Sequence, residues 1–466
     1  MLEQCVKQVG NSQAAVLEHY EAACFKICYI LIHIPFPSET FTINEIIALQ
    51  SLGVDIFPIS LCPSQRCHEV LMARINKPIL DLSDEAVQQK ASRSSFYPIA
   101  CKLAARYDIP LPLAAQAALA AEYVLSCAVN HIHAHFATEA AWVALIVSKM
   151  TGIPYSFTAH AYDIFRLNVS GETYPDRRVK LLVENAAKTI TVSEFNRKHI
   201  LSITDQVFED KLEVVHCGID LERFKNIERK PADSVTFLAV GRLVEKKGHE
   251  FLLRSFTHVV ETCDARLRIV GEGGLLQELT VLIRELDIAD RVTFIGAVSS
   301  DRVLYEMQNA DVFVLHSLTG SDGDKEGIPV SIMEAYATGL PVVSTRHSGI
   351  PELVIEGVSG FLVEERDCDG FAEAMCTLAV SPDLRAKMGL AGHSMVAENY
   401  NLHYEAQKLK NIFTSIIEES SAISNKNYQQ LFIDGNVTSY RLFFRVLNQS
   451  TKNNIKRLLG KIKSCL

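Results

Sequence analysis

The sequence predicts an α/β protein with two doubly wound parallel-sheet domains that face each other across a cleft. In both halves of the chain, short apolar runs alternate with segments of helical apolar period, and glycine-containing loops join them. This alternation is typical of parallel sheets with helices on both faces. A length of 466 residues suits about two to four domains, and 48% hydrophobic residues can fill large cores.

Composition and charge narrow the function classes. A net charge of −9 disfavours a basic surface for nucleic acid. The 12 cysteines include no C-x2-C pair and no secretory apolar segment opens the chain, so we expect a reducing cytoplasm. The apolar stretch 109–129 is interrupted by Pro110, Pro112, Gln116 and Glu122, so no transmembrane helix is predicted there.

Changes in period and composition divide the chain into six predicted segments. They are an N-terminal extension (1–24), a first domain (25–225), a charged linker (226–232), a second domain (233–400), a C-terminal helix (401–420) and a basic tail (421–466).

The first domain opens with a strong strand at residues 25–32, and a loop containing Pro35 and Pro37 leads from it into a helix. Further strands are predicted at residues 155–159 and 188–192. Ligands of doubly wound sheets bind at the carboxyl ends of the strands, so this first loop faces the predicted cleft.

Four histidines accompany the strands of the first domain. His131, His133 and His135 alternate along one strand, so they share a face and could bind a metal ion, although hydrogen-bonded histidines are the favoured interpretation. His160 follows the strand 155–159 directly, which places it at the carboxyl rim of the sheet and facing the cleft.

A cationic loop opens the second domain. The strand 235–240 runs into the sequence GRLVEKKGHE, in which Arg242 and Lys247 flank the turn from strand to helix. A guanidinium fork and a compact ammonium group suit a diphosphate, and Gly241 and Gly248 allow a close approach of the backbone.

The GEGG loop of the second domain argues against a nicotinamide dinucleotide cofactor. The strand 266–270 leads into GEGG, but Leu276 stands where a dinucleotide-binding G-x-G-x-x-G motif requires glycine or alanine. A nicotinamide-dependent dehydrogenase is therefore disfavoured. Another strand, 292–295, is followed by a loop that contains Val298.

The stretch 309–352 combines a strand, a polar loop and a helix, and it carries two carboxylates. Residues 311–316 are predicted as a buried strand, and residues 328–337 have helical apolar period. Glu326 lies at the mouth of this helix and Glu334 is about two turns further on, so both carboxylates can face one side.

The start of this helix is a predicted site for a phosphate or for polarised sugar oxygens. The backbone N–H groups of Gly327, Ile328 and Val330 are free there, beside the positive end of the helix dipole. Asp322 and Asp324 in the preceding loop have the D-x-D spacing that can hold a divalent cation, although a turn is the favoured interpretation.

The segment EGIPVSIMEAYATGLPVV resembles the E-x7-E segment of glycosyltransferase family 4, whose members are retaining enzymes with the GT-B fold. The PSETF loop resembles exopolysaccharide and colanic-acid-type members, and VVHCGID resembles the crossing between the domains. The resemblance covers residues 25–400. It implies two Rossmann-like domains, an acceptor-side domain followed by a nucleotide-sugar-binding domain.

The resemblance also implies residue roles. The counterparts of Glu326 and Glu334 contact the donor sugar and the ribose hydroxyls, those of Arg242 and Lys247 hold the diphosphate, and that of His160 lies by the reacting sugar. The predicted catalytic residues are thus His160, Glu326, Arg242 and Lys247. Further predicted contacts to the nucleotide sugar are Val298, Gly327, Ile328, Pro329 and Val330.

Together these features predict a retaining glycosyltransferase that moves a hexose from a nucleoside-diphosphate sugar, with UDP-hexose favoured, to a polysaccharide or lipid-linked oligosaccharide. Asp163 is the predicted acceptor-side carboxylate. The alternatives are a GT-B epimerase or phosphorylase, and a catalytically silent sugar-nucleotide binding protein. No metal and no cofactor are expected, because Arg242, Lys247 and the helix at Gly327 can offset the diphosphate charge.

The basic tail predicts a membrane partner. Residues 421–466 carry a net charge of +7, which leaves −16 for the rest of the chain, and apolar residues recur in the tail at helical spacing. Such a segment is typical of an interfacial helix on an anionic membrane. The predicted location is the cytoplasm, peripheral to the cytoplasmic membrane; the competing interpretation is a helix packed on the first domain.

Overall fold

The structure is a computed structural model of the chain. It describes residues 25–35, 39–63, 67–84, 86–165, 174–204, 206–225 and 234–434, with side chains from 177 in the fifth range and up to 422 in the last. The predicted extension 1–24, the linker 226–232 and residues 435–466 of the basic tail lie outside these ranges.

A parallel sheet of seven strands forms the first half, in the order β3-β2-β1-β4-β5-β6-β7. Its strands are β1 (Lys26–Leu31), β2 (Asp55–Ser60), β3 (Leu80–Asp81), β4 (His131–His135), β5 (Tyr155–Ala159), β6 (Lys188–Thr191) and β7 (Leu212–Val214). The helices between them are α1 (Thr40–Ser51), α2 (Glu69–Met72), α3 (Val87–Ala91), α4 (Tyr97–Arg106), α5 (Leu111–Ser126), α6 (Glu139–Thr151), α7 (Tyr162–Phe165), α8 (Tyr174–Asn185) and α9 (Glu194–Ile203).

A parallel sheet of six strands forms the second half, in the order β10-β9-β8-β11-β12-β13. Its strands are β8 (Val235–Val240), β9 (Ala265–Val270), β10 (Val292–Gly296), β11 (Val312–Leu315), β12 (Val342–Thr345) and β13 (Gly360–Val363). The helices that follow are α10 (His249–Thr262), α11 (Leu276–Glu285), α12 (Ser300–Gln308), α13 (Val330–Ala337), α14 (Ile350–Leu353), α15 (Cys368–Val380), α16 (Pro382–Asn399) and α17 (Leu402–Asp434).

Both sheets are buried on both faces. Along β1, Cys28 and Ile30 belong to one apolar cluster, whereas Ile27, Tyr29 and Leu31 belong to another on the opposite face. Alternate residues of a strand point to opposite faces, so apolar runs without a polar alternation are what a doubly covered parallel sheet requires. The predicted fold class is confirmed.

Each sheet has a point at which the strand order reverses. In the first sheet β1 lies between β2 and β4, and in the second β8 lies between β9 and β11. Loops that leave neighbouring strands toward opposite faces open a crevice at such a point, and ligands of this architecture bind there. The loop after β1 is predicted from the sequence to face the cleft, and the loop after β8 is the one predicted to bind a diphosphate.

The last helix returns to the first domain. Ala406, Leu409 and Phe413 of α17 pack into the same apolar cluster as Tyr29 of β1, and Lys410 Nζ donates to the carbonyl of Leu52. The chain therefore crosses between the two sheets twice. In the described residues, no helix is long and apolar enough to cross a membrane.

The two crossings lie side by side and are hydrogen-bonded. Ile219 N–H donates to the Tyr400 carbonyl at 2.8 Å, and Leu402 N–H donates to the Ile219 carbonyl at 3.1 Å. A Cβ at Gly218 would lie 2.3 Å from the Cα of Leu402, so this close approach requires glycine.

Helix α13 begins at Val330, two residues later than its apolar period predicts. Pro329 is the residue before the helix, and its ring disfavours helical backbone at Ile328. Glu326 therefore lies in the loop, four residues before the helix that carries Glu334.

Candidate active site

One cavity of about 310 Å³ lies between the carboxyl ends of the two sheets. Of the site residues predicted from the sequence, Asp163 does not line this cavity, and ten others from both domains do. The ten are His160, Arg242, Lys247, Val298, Glu326, Gly327, Ile328, Pro329, Val330 and Glu334. Their roles remain predictions, but their common location is observed.

His160 forms part of the first domain's wall, directly after β5. Its ring centroid lies 4.8 Å from that of Phe41 and 4.3 Å from that of Phe136, and its Nε2 lies 3.0 Å from His135 Nδ1. The His160 carbonyl accepts a hydrogen bond from the Asn196 side chain. Burial, followed by the neighbouring His135, holds the pKa of His160 well below its usual value, so the ring is neutral at pH 7.

Asp163 does not offer its carboxylate to the cavity. Its two oxygens accept hydrogen bonds from the backbone N–H groups of Ala137, His160 and Ala161, at 2.7 to 3.2 Å. A carboxylate with this many backbone donors fixes the loop around His160. Its geometry differs from the acceptor-side role expected from the sequence.

The histidines of β4 are engaged in hydrogen bonds. His131 Nε2 and His133 Nδ1 both lie within 2.8 Å of Ser156 Oγ, and His133 Nε2 lies 3.1 Å from Thr158 Oγ1. One set of potential metal ligands does converge here, because atoms of Glu45, His133 and His135 lie within 4.8 Å of one another.

The cationic wall comes from the loop after β8. A single 3-10 turn at Glu245–Lys247 precedes α10 and brings Lys247 to the cavity, while Arg242 is exposed at the rim. Gly248 has a φ of +59°, and a Cβ there would lie 1.8 Å from the carbonyl oxygen of His316. Only glycine fits this turn, as predicted for a close approach of the backbone.

Glu326 is a buried carboxylate paired with that wall. Its Oε2 lies 3.0 Å from Lys247 Nζ, and its Oε1 lies 4.0 Å from Lys246 Nζ. Burial alone would raise the pKa of Glu326, but the two ammonium groups and the hydrogen bond from Lys247 hold it at about 2. Oε1 has no hydrogen-bond partner among the described residues, so it is available to a ligand hydroxyl.

Lys246 was not predicted from the sequence as a site residue, although it lines the cavity. Its Nζ donates to Asp324 Oδ1 and to the Lys325 carbonyl, both at 3.0 Å. Asp322 Oδ1 in turn accepts the N–H of Asp324 at 3.0 Å. The D-x-D pair is therefore part of a turn tied to Lys246, which agrees with the favoured sequence interpretation.

His347 and Glu365 were also not predicted from the sequence, and together they hold the backbone N–H of Glu326. The N–H of Glu326 donates to His347 Nε2 at 3.0 Å, so His347 Nδ1 carries the ring proton and donates to Glu365 at 2.6 Å. Burial lowers the pKa of His347, although Glu365 opposes that effect. His347 and Glu365 lack a recognisable motif, so only the fold could identify them.

The mouth of α13 supplies backbone donors. Within the described ranges, the N–H groups of Gly327, Ile328 and Val330 donate to no protein acceptor. Free N–H groups at a helix N-terminus favour an anion or a polarised oxygen. A Cβ on Gly327 would lie 3.1 Å from the His160 carbonyl, so the two domains nearly touch here.

Glu334 lies on α13, further along the same cavity. Burial raises the pKa of Glu334 to about 7, and Arg223 lowers it only in part. No hydrogen bond to its carboxylate is present among the described residues. Two free carboxylate oxygens can accept both hydroxyls of a ribose.

Glu39 faces the second domain from the loop before α1. Burial raises the pKa of Glu39 to about 7, although the positive charge of Arg242 opposes this rise. It lines the cavity together with Arg242. Nothing local in the sequence shows that this loop faces a cation from the other domain.

Two contacts join the domains beside the cavity. The carboxylate of Glu352 in α14 accepts the N–H groups of Glu194 and Phe195 at the start of α9, at 2.9 and 2.7 Å. Lys325 Nζ lies 5.5 Å from the ring centre of Phe165 and 5.6 Å from that of Phe195. A carboxylate at a helix N-terminus and a cation over aromatic rings are both stabilising.

Comparison with known proteins agrees with this geometry. The family model described as Glycosyltransferase Family 4 matches residues 39–223, and the model described as Glycosyl transferases group 1 matches residues 220–395. The chain carries a Glycosyltransferase Family 4 domain followed by a Glycosyl transferases group 1 domain. The first matched segment holds β2 to β7 and the second holds β8 to β13, and every predicted site residue lies within them.

Two curated relatives illustrate the similarity. The colanic acid biosynthesis glycosyltransferase WcaL of Salmonella typhimurium is 36% identical over 210 residues, which are 44% of this chain and 52% of WcaL. The GDP-mannose-dependent alpha-(1-6)-phosphatidylinositol monomannoside mannosyltransferase of Mycobacterium tuberculosis is 32% identical over 209 residues, 42% of this chain and 54% of that protein. The chain thus spans about half the length of these relatives in each match.

The fold has solved counterparts. The crystal structure of Anabaena HepE in complex with UDP-glucose superposes with a TM-score of 0.66 over 84% of this chain and 99% of HepE, at 18% identity. At that identity the likeness shows the GT-B fold only.

Proposed function

We propose that the protein is a retaining glycosyltransferase that moves a hexose from a nucleoside-diphosphate sugar to a hydroxyl of a polysaccharide or lipid-linked oligosaccharide. The main support is one cavity that holds a buried carboxylate at Glu326, two cations at Arg242 and Lys247, and His160 on the facing wall. These groups match, in type and position, what transfer from a diphosphate leaving group requires.

The second domain would hold the donor. Glu334 accepts the ribose hydroxyls, and the loop at Val298 lies against the base. The free N–H groups at the start of α13, with Arg242 and Lys247, hold the diphosphate. Glu326 then orients the hexose through its hydroxyls, because its Oε1 is buried without a partner among the described residues.

The bond from the anomeric carbon to the diphosphate oxygen breaks as the acceptor oxygen approaches from the same face. The acceptor hydroxyl forms the new bond to the anomeric carbon, and its proton passes to a diphosphate oxygen. Arg242 and Lys247 stabilise the charge that develops on the leaving group. No covalent intermediate forms on Glu326, since its ion pair with Lys247 suits it to binding hydroxyls.

UDP-hexose is the favoured donor. HepE, a protein of the same fold, is described in complex with UDP-glucose, whereas the mycobacterial relative is described as GDP-mannose-dependent. A donor panel must therefore contain both UDP-hexoses and GDP-mannose. The relation to WcaL supports an exopolysaccharide acceptor.

Incubation with labelled nucleotide sugars tests the proposal. Transfer predicts release of the nucleoside diphosphate only in the presence of an acceptor, and proton NMR of the first product should show the donor's anomeric configuration. An inverted product would overturn the retaining mechanism. Interconversion of donors without an acceptor would favour an epimerase, phosphate-dependent cleavage a phosphorylase, and binding alone a silent sugar-nucleotide protein.

A further inference from the structure

A chain of buried hydrogen bonds runs behind His160, away from the cavity. His160 Nε2 lies 3.0 Å from His135 Nδ1, and His135 Nε2 lies 3.1 Å from Glu45 Oε1. The Tyr29 hydroxyl donates to the same Glu45 oxygen at 2.7 Å. The His135 side chain is 1% exposed and that of Glu45 is 19% exposed, so solvent competes little for these bonds.

The direction of each bond follows from Glu45. A carboxylate can only accept, so His135 Nε2 must carry the ring proton that faces it. In neutral His135 the other nitrogen, Nδ1, then lacks a proton and accepts. His160 Nε2 must therefore donate, which leaves Nδ1 of His160 as an unprotonated nitrogen in the ring that lines the cavity.

The rings around His160 prevent an exchange of its two nitrogens. Phe136 and Phe41 pack against it, and His135 stacks on it at a centroid distance of 5.3 Å and an angle of 25°. Phe136 has a φ of +72°, a left-handed backbone that is costly for a bulky residue. Strain of this kind persists where surrounding contacts enforce a particular arrangement.

We infer that Glu45 and His135 are positioning residues that fix the tautomer of His160, so that its Nδ1 accepts a hydrogen bond from a hydroxyl of the sugar substrate. This inference rests on the proposed function. The opposite wall offers donors in its cations and backbone N–H groups, and acceptors in Glu326 and Glu334. On the first domain's wall, His160 Nδ1 adds an acceptor, and an unprotonated nitrogen binds only a group that can donate, such as a sugar hydroxyl.

Glu45 and His135 could instead take part in a metal site. Glu45, His133 and His135 could hold a metal ion, and a bound ion would replace the proton on His135 Nε2. Hydrogen bonds already account for these groups, since both nitrogens of His133 contact hydroxyl oxygens of Ser156 and Thr158. The two uses predict different protonation of His135.

The tautomer can be measured without an activity assay. In protein labelled with [15N]histidine, long-range proton–nitrogen correlations show which ring nitrogen carries a proton, and His160→Gln assigns the signals. We expect the proton on Nε2 of His160 and on Nε2 of His135. A proton on Nδ1 of His160 overturns the inference even if the enzyme transfers sugar, whereas failure of transfer alone leaves the tautomer result standing.

A matched pair of variants tests the part played by Glu45. Glu45→Gln keeps an oxygen for His135 and Tyr29, so the tautomer should persist and turnover should stay within a few fold of wild type. Glu45→Leu removes the acceptor, so the His160 proton should redistribute and kcat should fall on the order of tenfold or more. The affinity for the nucleoside diphosphate, bound on the other domain, should remain unchanged in both.

Three outcomes contradict the inference. Equal losses of turnover in the Gln and Leu variants would mean that Glu45 acts through its charge or through packing. An unchanged His160 signal in Glu45→Leu would mean that another group fixes the ring. Stoichiometric zinc that survives chelating chromatography in wild type and disappears in Glu45→Leu would assign the cluster to a metal.

Discussion

The ammonium nitrogen of Lys247 lies 3.0 Å from Oε2 of Glu326, so the cation expected to hold a diphosphate is already paired with the carboxylate expected to hold the sugar. Both groups are largely buried, and the pair avoids leaving either charge uncompensated in the cavity. In the proposed complex, Lys247 also contacts a phosphate oxygen, and Oε1 of Glu326 accepts a sugar hydroxyl while Oε2 stays paired with Lys247.

Removal of either cation that is proposed to hold the diphosphate, Arg242 or Lys247, should slow transfer. Arg242→Ala and Lys247→Ala should each lower kcat/KM by 100-fold or more, about 3 kcal/mol or more of transition-state stabilisation, because each cation faces the departing charge. Arg254→Ala is the control, since Arg254 lies on α10 and its ion pair among the described residues is with exposed Glu250. Near wild-type turnover in both Arg242→Ala and Lys247→Ala would contradict their assignment to diphosphate binding.

Substitution of Glu326 and substitution of Glu334 should impair different properties, turnover in the first case and nucleotide binding in the second. Glu334→Ala should mainly weaken nucleotide binding, through the loss of hydrogen bonds to a charged acceptor at about 1.5 to 3 kcal/mol each at most. Glu326→Ala should mainly lower turnover, because Oε1 of Glu326 has no hydrogen-bond partner among the described residues and is proposed to orient the sugar. Calorimetric titration of the nucleoside diphosphate separates the two, and equal losses of affinity would refute this division.

Nucleotide affinity should depend on pH near neutrality. Burial raises the pKa of Glu334 to about 7, so its carboxyl is protonated at lower pH and accepts two ribose hydroxyls only when ionised. Affinity should therefore rise between about pH 6 and pH 8. In Glu334→Gln only the ionisation of the phosphate and of Glu39 remains, so this part of the rise should disappear. The same pH profile in both proteins would exclude Glu334 as its source.

Activity should survive chelation. Arg242, Lys247 and the N–H groups at the start of α13 offset diphosphate charge, and Asp324 is paired with Lys246. Assays after EDTA treatment should match untreated enzyme, and Asp322→Asn should retain turnover. Loss of activity that Mg²⁺ or Mn²⁺ restores would show that the D-x-D pair holds a metal.

The basic tail should bind anionic vesicles. Residues 435–466 contain seven basic and no acidic residues, and each cation near such a surface contributes about 1 kcal/mol. Deletion of 435–466 should abolish sedimentation with anionic vesicles and leave α17 packed on the first domain. Neutral vesicles and the charge-reversing pair Lys456→Glu and Arg457→Glu are the controls. Sedimentation unaffected by the deletion would assign the contact elsewhere.

The sequence predicted the parts of the fold that depend on local pattern. Strands 155–159 and 235–240 have the predicted bounds, because short buried apolar runs carry a strong signal. His160, Arg242 and Glu326 meet in one cavity because each follows a parallel strand, and carboxyl ends of such strands share one edge of the sheet.

The contacts that depend on tertiary structure were not predictable. Lys246 and Lys247 are adjacent in sequence, and only the 3-10 turn determines that Lys246 anchors a loop while Lys247 meets Glu326. His347 reaches Glu326 from a separate loop. Glu45 belongs to a helix whose apolar period is weak. Nothing in the local sequence therefore links it to His160, which follows β5.

The paired crossings at Ile219 and Leu402 limit how the two halves can move. A domain attached through one extended segment can rotate about many axes. Two hydrogen-bonded segments that lie side by side prevent most of these rotations. Rotation is then confined to the axis that runs through both. Any closing motion would then bring the walls that carry His160 and Glu326 together in one alignment, so closure would cost little orientational entropy.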